Sequence, residues 1–135
     1  MRALHISIPP SPRYAATARR AFANFIRFHR MSRADAENLL CAVGEAIANS
    51  IQHAKTDEPI ELRASIEGEV LTVQVSDRGS GLVVRRGGEA TRLPDPLSES
   101  GRGFAIMQRC TDYFDVRSDP ERGTVVTLAR FHRDA

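Results

Sequence analysis

The chain holds a single lysine, Lys55, and only two cysteines, and no acidic residue precedes Asp35. Each shortage removes a class of function. A P-loop needs a lysine directly after its glycine to reach the terminal phosphates, and Lys55 follows Ala54 instead. Cys41 and Cys110 are far apart in sequence with no Cys-x-x-Cys spacing, so neither a zinc site nor a disulfide scaffold is indicated, and both are expected as core thiols. No apolar run approaches the length of a membrane span, and Met1-Arg2-Ala3-Leu4-His5 lacks the apolar segment of a secretory leader. A cytoplasmic protein without membrane contact is the expectation. The eukaryotic protein-kinase set, which includes Val-Ala-Ile-Lys and Asp-Phe-Gly, is absent as well.

What is present points to one domain over residues 1–135, since 135 residues at 41% hydrophobic suffice for one real core. Net charge is only +2, but residues 1–34 carry +7 and the remainder −5. That asymmetry suggests a partner surface. Arg2 to Ile8 alternates Leu4, Ile6 and Ile8 with polar neighbours, an edge strand ended by Pro9, Pro10 and Pro12. From Arg13 to about His29, Ala18, Phe22, Phe25 and Ile26 recur at helical spacing, while Arg19, Arg20, Arg27 and Arg30 occupy other faces. The basic face carries no DNA-reading motif and no interleaved aromatics, which favours an acidic protein partner over direct nucleic-acid binding.

Ser32 followed by Asp35 has the form of a capping box, so a central helix should run from Arg33 to about Ala54. Leu39, Leu40, Val43, Ile47, Ile51 and Ala54 gather on one apolar face, while Glu45, Asn49 and His53 recur every fourth residue beside small Ala42 and Ala46. Such a stripe reads either as a solvated outer face or as a site. A carboxylate and an amide one turn apart suit a hard cation and a reacting hydroxyl. Strands Ile60–Glu67 and Val70–Asp77 then form a hairpin around Gly68.

Asp77-Arg78-Gly79-Ser80-Gly81 follows at the strand end. A carboxylate there, with glycines that let the backbone pass close to a flat ligand, suits an exocyclic amine such as adenine N6, although the same residues also read as a turn. Residues 82–100, with Arg85, Arg86 and Arg92, have little periodicity and read as a mobile lid. Gly101-Arg102-Gly103-Phe104 opens a helix to about Cys110, and the free N–H groups of a helix start bind phosphate. A Rossmann site would need a third glycine and a buried strand before Gly101, where Leu97-Ser98-Glu99-Ser100 stands instead. Strands near Tyr113–Ser118 and Thr124–Phe131 close the chain.

Taken in order, Glu-x-x-x-Asn-x-x-x-His on a helix, Asp-x-Gly-x-Gly after a strand, Gly-x-Gly opening a helix and Gly-Thr opening a last strand resemble the GHKL (Bergerat-fold) ATP-binding superfamily. Within it, residues 43–54 and Gly101–Met107 look most like the bacterial anti-sigma factor serine/threonine kinases of the RsbW and SpoIIAB type. The resemblance implies a two-layer α/β sandwich, with helices on one face of a mixed, mostly antiparallel sheet. It also implies ATP and Mg²⁺ as ligands: Asn49 would hold the metal, Glu45 would take the proton of an attacking serine, and Asp77 would receive adenine N6 with help from Thr124. Gly79 and Gly81 would pass the base, and Gly101, Arg102, Gly103 and Phe104 would border the phosphates. His53 would touch phosphate or hold the polar helix face. The implied partners are a sigma factor and an anti-anti-sigma protein of the STAS fold, with a homodimer as an option. Arg85, Arg86 and Arg92 stand in a lid where the family carries lysine. Two other readings stay open: a nucleotide-gated binding module without kinase activity, and a detached histidine-kinase catalytic domain or other GHKL ATPase.

Overall fold

The structure is a computed structural model and describes residues 2–29, 31–53, 57–78, 99–119 and 123–131. β1 (Ala3–Ile8) leads through a 3-10 turn at Pro12–Tyr14 into α1 (Ala15–Phe28) and α2 (Arg33–His53). β2 (Ile60–Glu67), β3 (Val70–Asp77), α3 (Glu99–Arg109), β4 (Tyr113–Asp119) and β5 (Gly123–Phe131) follow. The strands form one sheet in the order β1-β2-β3-β5-β4, and all four described pairings are antiparallel. β1 is an edge, as its length and alternation suggested. The helices cover one face, so the chain is the two-layer α/β sandwich expected of it.

Alternation in the strands places that core. Ile60, Leu62, Ala64 and Ile66 on β2, Leu71, Val73 and Val75 on β3, and Val126 and Leu128 on β5 are buried, whereas Arg63 and Gln74 between them are exposed. From the helices come Phe22, Phe25 and Ile26 of α1, Leu39, Val43 and Ile47 of α2, and Phe104 and Met107 of α3. Each large side chain withdrawn from water contributes roughly 1.5–3 kcal/mol before the entropy of ordering is charged. The turn joining β2 to β3 needs Gly68 at φ 61°, a left-handed conformation that glycine adopts without strain.

Three expectations need correction. Ser32 caps α2 by accepting from the Asp35 N–H at 3.2 Å, but the Asp35 carboxylate accepts from Arg130 Nε at 2.9 Å. Arg130, which also donates from Nη1 to the Cys110 carbonyl at 3.1 Å, offers a charged partner that outcompetes a neutral N–H. Cys41 is exposed and so is not a core thiol, whereas Cys110 is half-buried and packs against the core. Finally, α3 begins at Glu99, so the last two residues of the expected 82–100 lid are helical. Nothing requires a helix to wait for its glycines.

Candidate functional site

On α2 the stripe beside the apolar face is not a solvated surface. Ala42 and Ala46 are fully buried, Asn49 is 8% exposed, and Glu45 and His53 are half-buried. Gly103 of α3 lies close to Glu45: a Cβ placed on it would stand 3.3 Å from Glu45 Oε1. Glycine there lets α3 pass directly over the carboxylate. On α1 the guanidinium of Arg19 lies over Gly44, where a Cβ would meet Nε at 3.2 Å, so Glu45 sits between two neighbouring helices.

The directions of the helices follow from a few contacts. Arg130 near the end of β5 pairs with Asp35 at the start of α2. From Arg130 back to Thr124 the strand covers about 20 Å, and from Asp35 to Asn49 the helix covers about 21 Å. Because Ala42, Val43, Ala46, Ile47 and Ser50 are buried, α2 must lie over the sheet and run toward Thr124. Asn49 therefore lies at the Thr124 end of the fold. Gly103 faces Glu45 while Cys110 lies close to Cys41, so α3 runs opposite to α2 and its first turn points to the same end.

At that end Asp77 and Thr124 are direct cross-strand partners on the helix-covered face, 5% and 3% exposed. A buried carboxylate beside a buried hydroxyl is an unusual close to an otherwise apolar row, and carboxylate oxygens have several lone pairs with which to accept. Thr124 Oγ1 lies 3.0 Å from Ser118 Oγ on β4, which fixes its rotamer. Gly123, at φ 92°, brings the start of β5 against the backbone of Asp77 and Arg78 so closely that a Cβ would stand 1.9 Å from the Asp77 carbonyl oxygen.

The arrangement thus gathers Asn49, Asp77, Thr124 and the first turn of α3 at one end, with Glu45 one turn back along α2. Gly101 and Arg102 fall among the first four residues of α3, whose N–H groups have no acceptor within the helix. Gly103 does not; it is the fifth residue, and its service is the clearance over Glu45. The Phe104 side chain is 1% exposed and tilts against Phe114 at 5.9 Å, so it serves the core and leaves only backbone to offer a ligand. Gly79, Gly81, and Arg85, Arg86 and Arg92 of the lid lie outside the described residues. Ser118 and Gly123 escaped assignment from sequence. Gly123 at least had a signal, its place before the hydroxyl that opens the last strand.

Comparison with known proteins adds a family. The model of the histidine kinase-like ATPase domain matches residues 8–130. The chain is 33% identical over 121 residues to the anti-sigma F factor of Pasteuria penetrans, covering 85% of this chain and 81% of that protein. It is 35% identical over 122 residues to the anti-sigma F factor of Clostridium botulinum (strain Eklund 17B / Type B), covering 85% and 84%. The alignment with the anti-sigma F factor of Thermoanaerobacter sp. (strain X514), 32% identical over 96 residues, takes in 67% of this chain and 66% of that one. Among solved structures, that of the RsbU and RsbW domains of a Mycobacterium tuberculosis protein superposes with a TM-score of 0.76 at 19% identity. It covers 100% of this chain and 34% of that one, a likeness of fold.

Proposed function

The chain belongs to the histidine kinase-like ATPase domain family, alongside the anti-sigma F factors, and from that premise we propose that it is an anti-sigma factor that binds ATP with Mg²⁺ and phosphorylates a serine or threonine of an anti-anti-sigma partner. The observation that carries this reading is the position of Glu45. A half-buried carboxylate, one turn from buried Asn49 and closely approached by a glycine on the facing helix, is what a general base needs and a mere nucleotide holder does not.

Each residue then has a task. Asp77 accepts from the exocyclic amine of adenine, and Thr124 completes that contact through its hydroxyl. The first-turn N–H groups of α3, Gly101 and Arg102 included, receive phosphate oxygens, where the helix dipole favours negative charge. Asn49 fits Mg²⁺ by donor chemistry, since a hard cation takes an amide oxygen together with phosphate oxygens. When bound, that ion neutralises charge on the transferring phosphoryl group. Glu45 takes the proton from the incoming hydroxyl as its oxygen attacks the γ-phosphorus, and the bond from that phosphorus to the bridging oxygen breaks, releasing ADP. His53, one turn beyond Asn49, borders the phosphates from the half-buried end of the stripe.

Calorimetric titration tests the nucleotide half of the reading before any partner is in hand. The wild type should bind ATP in an Mg²⁺-dependent manner, and Asp77→Asn should weaken it by about 10–100-fold, the cost of losing a hydrogen bond to a charged group. Asn49→Ala should remove the Mg²⁺ dependence. A wild type that binds no ATP would reduce the fold to a protein-binding shell and end the kinase reading.

The docking face is the exposed side of α1. Arg20 and Arg27 are two turns apart on it, whereas Arg19 is committed to Gly44 and the neighbourhood of Glu45. Reversing Arg20 and Arg27 to Glu should therefore weaken binding of an acidic surface on the sigma factor by tenfold or more, roughly 1.4 kcal/mol, with ATP affinity unchanged. Undiminished capture of the sigma factor by the double variant would move the interface off this helix.

A further inference from the structure

Cys41 occupies the same stripe as Glu45, one turn earlier, on the exposed side of α2. Cys110 directly follows α3. With Gly103 of α3 lying over Glu45, the antiparallel packing of these helices brings the two residues to the same end of the α2–α3 pair although the sequence keeps them far apart, and the Cys41 thiol is within electrostatic reach of Cys110. We propose that Cys41 and Cys110 form a reversible dithiol–disulfide site, closed by hydroperoxides, that staples α2 to the C-terminal end of α3.

Cys110 is held for this from three sides. Its N–H donates to the Ile106 carbonyl at 2.9 Å, its own carbonyl accepts from Arg130 Nη1 at 3.1 Å, and the Thr111 hydroxyl next to it donates to the Met107 carbonyl at 2.6 Å. Cys41 stands in the middle of a long helix whose next turns are buried. Two fixed backbones with adjacent thiols favour closure within one chain over bonding to another.

In the closing reaction the Cys41 thiolate attacks a hydroperoxide oxygen, the O–O bond breaks, and an alcohol or water leaves, giving a sulfenic acid. The Cys110 thiol then attacks the Cys41 sulfur; the S–S bond forms and water departs with the thiol proton. Two electrons pass from the thiols to the hydroperoxide, and a dithiol reductant returns them. Burial and the adjacent Cys110 push the Cys41 thiol up, the Glu45 carboxylate adds to this, and the Arg19 guanidinium from α1 opposes it. Since the thiolate is the attacking form, closure is slow near neutrality and accelerates as pH rises.

The test is to treat the native protein with hydrogen peroxide and follow it by intact mass, thiol titration and peptide mapping. The expected result is a loss of about two mass units, a linked Cys41–Cys110 peptide, full reversal by dithiothreitol, and a rate about tenfold higher at pH 8 than at pH 7. The oxidised protein should also melt several degrees higher, and neither Cys41→Ser nor Cys110→Ser should show any of these changes. Disulfides between chains, accumulation of sulfinic acid at Cys41 with Cys110 still free, or two thiols that survive excess peroxide would each overturn the proposal. Because every readout is covalent or thermal, failure here leaves the nucleotide reading untouched.

Discussion

Glu45→Gln should lower phosphotransfer by on the order of 10²–10⁴, the range that general-base catalysis supplies, while ATP affinity stays close to that of the wild type. The separation of the two effects follows from position. Asp77, Thr124 and the first turn of α3 lie at the end of the fold toward which α2 runs, and Glu45 lies one turn back from Asn49, away from the adenine end. Glutamine keeps the volume beneath Gly103, so the packing of α2 against α3 survives and only the proton acceptor is lost. Single-turnover transfer from ATP to the anti-anti-sigma protein, measured beside calorimetric ATP binding, reads both quantities. A variant that loses binding as much as transfer would make Glu45 a nucleotide contact. One that loses neither would remove it from the chemistry, and the chain would then be a nucleotide-gated binding module.

Most of what places that glutamate is local and could be read along the chain. The bounds of α2 agree with the residues from Arg33 onward, and the hairpin Ile60–Glu67/Val70–Asp77 was legible to the residue because alternation and a turn glycine are properties of adjacent positions. The order of four weak motifs was legible in the same way. What escaped depends on contacts between segments remote in sequence. Gly103 looked like a phosphate glycine, since its neighbours suit a helix start, yet the residue it accommodates is Glu45 on another helix. Cys41 and Cys110 looked like separate core thiols because periodicity cannot say that α2 and α3 run in opposite directions. Arg130 joins Asp35 and the Cys110 carbonyl across the whole length of the chain, and no pattern near any of the three announces it. These contacts set the directions of α2 and α3 over the sheet, and with them which polar residues meet.

Gly123→Ala should be the most damaging single methyl group in the described part of the molecule. At φ 92° any side chain is strained, and the added Cβ would lie 1.9 Å from the Asp77 oxygen, 2.6 Å from the Arg78 Cα and 2.8 Å from the Asp77 carbonyl carbon. All three are backbone atoms, so no rotamer change relieves the contact, and the end of β3 must move away from β5. Left-handed strain and steric displacement together should cost on the order of 3 kcal/mol or more. The displacement falls on the Asp77–Thr124 pair, so ATP binding should weaken even at temperatures where the variant is folded. Gly68→Ala provides the control without a steric clash: its φ of 61° is also left-handed, and nothing lies within 4 Å of the new Cβ. That change should cost only about 1 kcal/mol and leave ATP binding intact. Urea unfolding and ATP titration of the two variants side by side decide the matter. Equal, mild losses of stability with ATP affinity preserved in both would mean that the close approach of Gly123 to Asp77 does not govern the site.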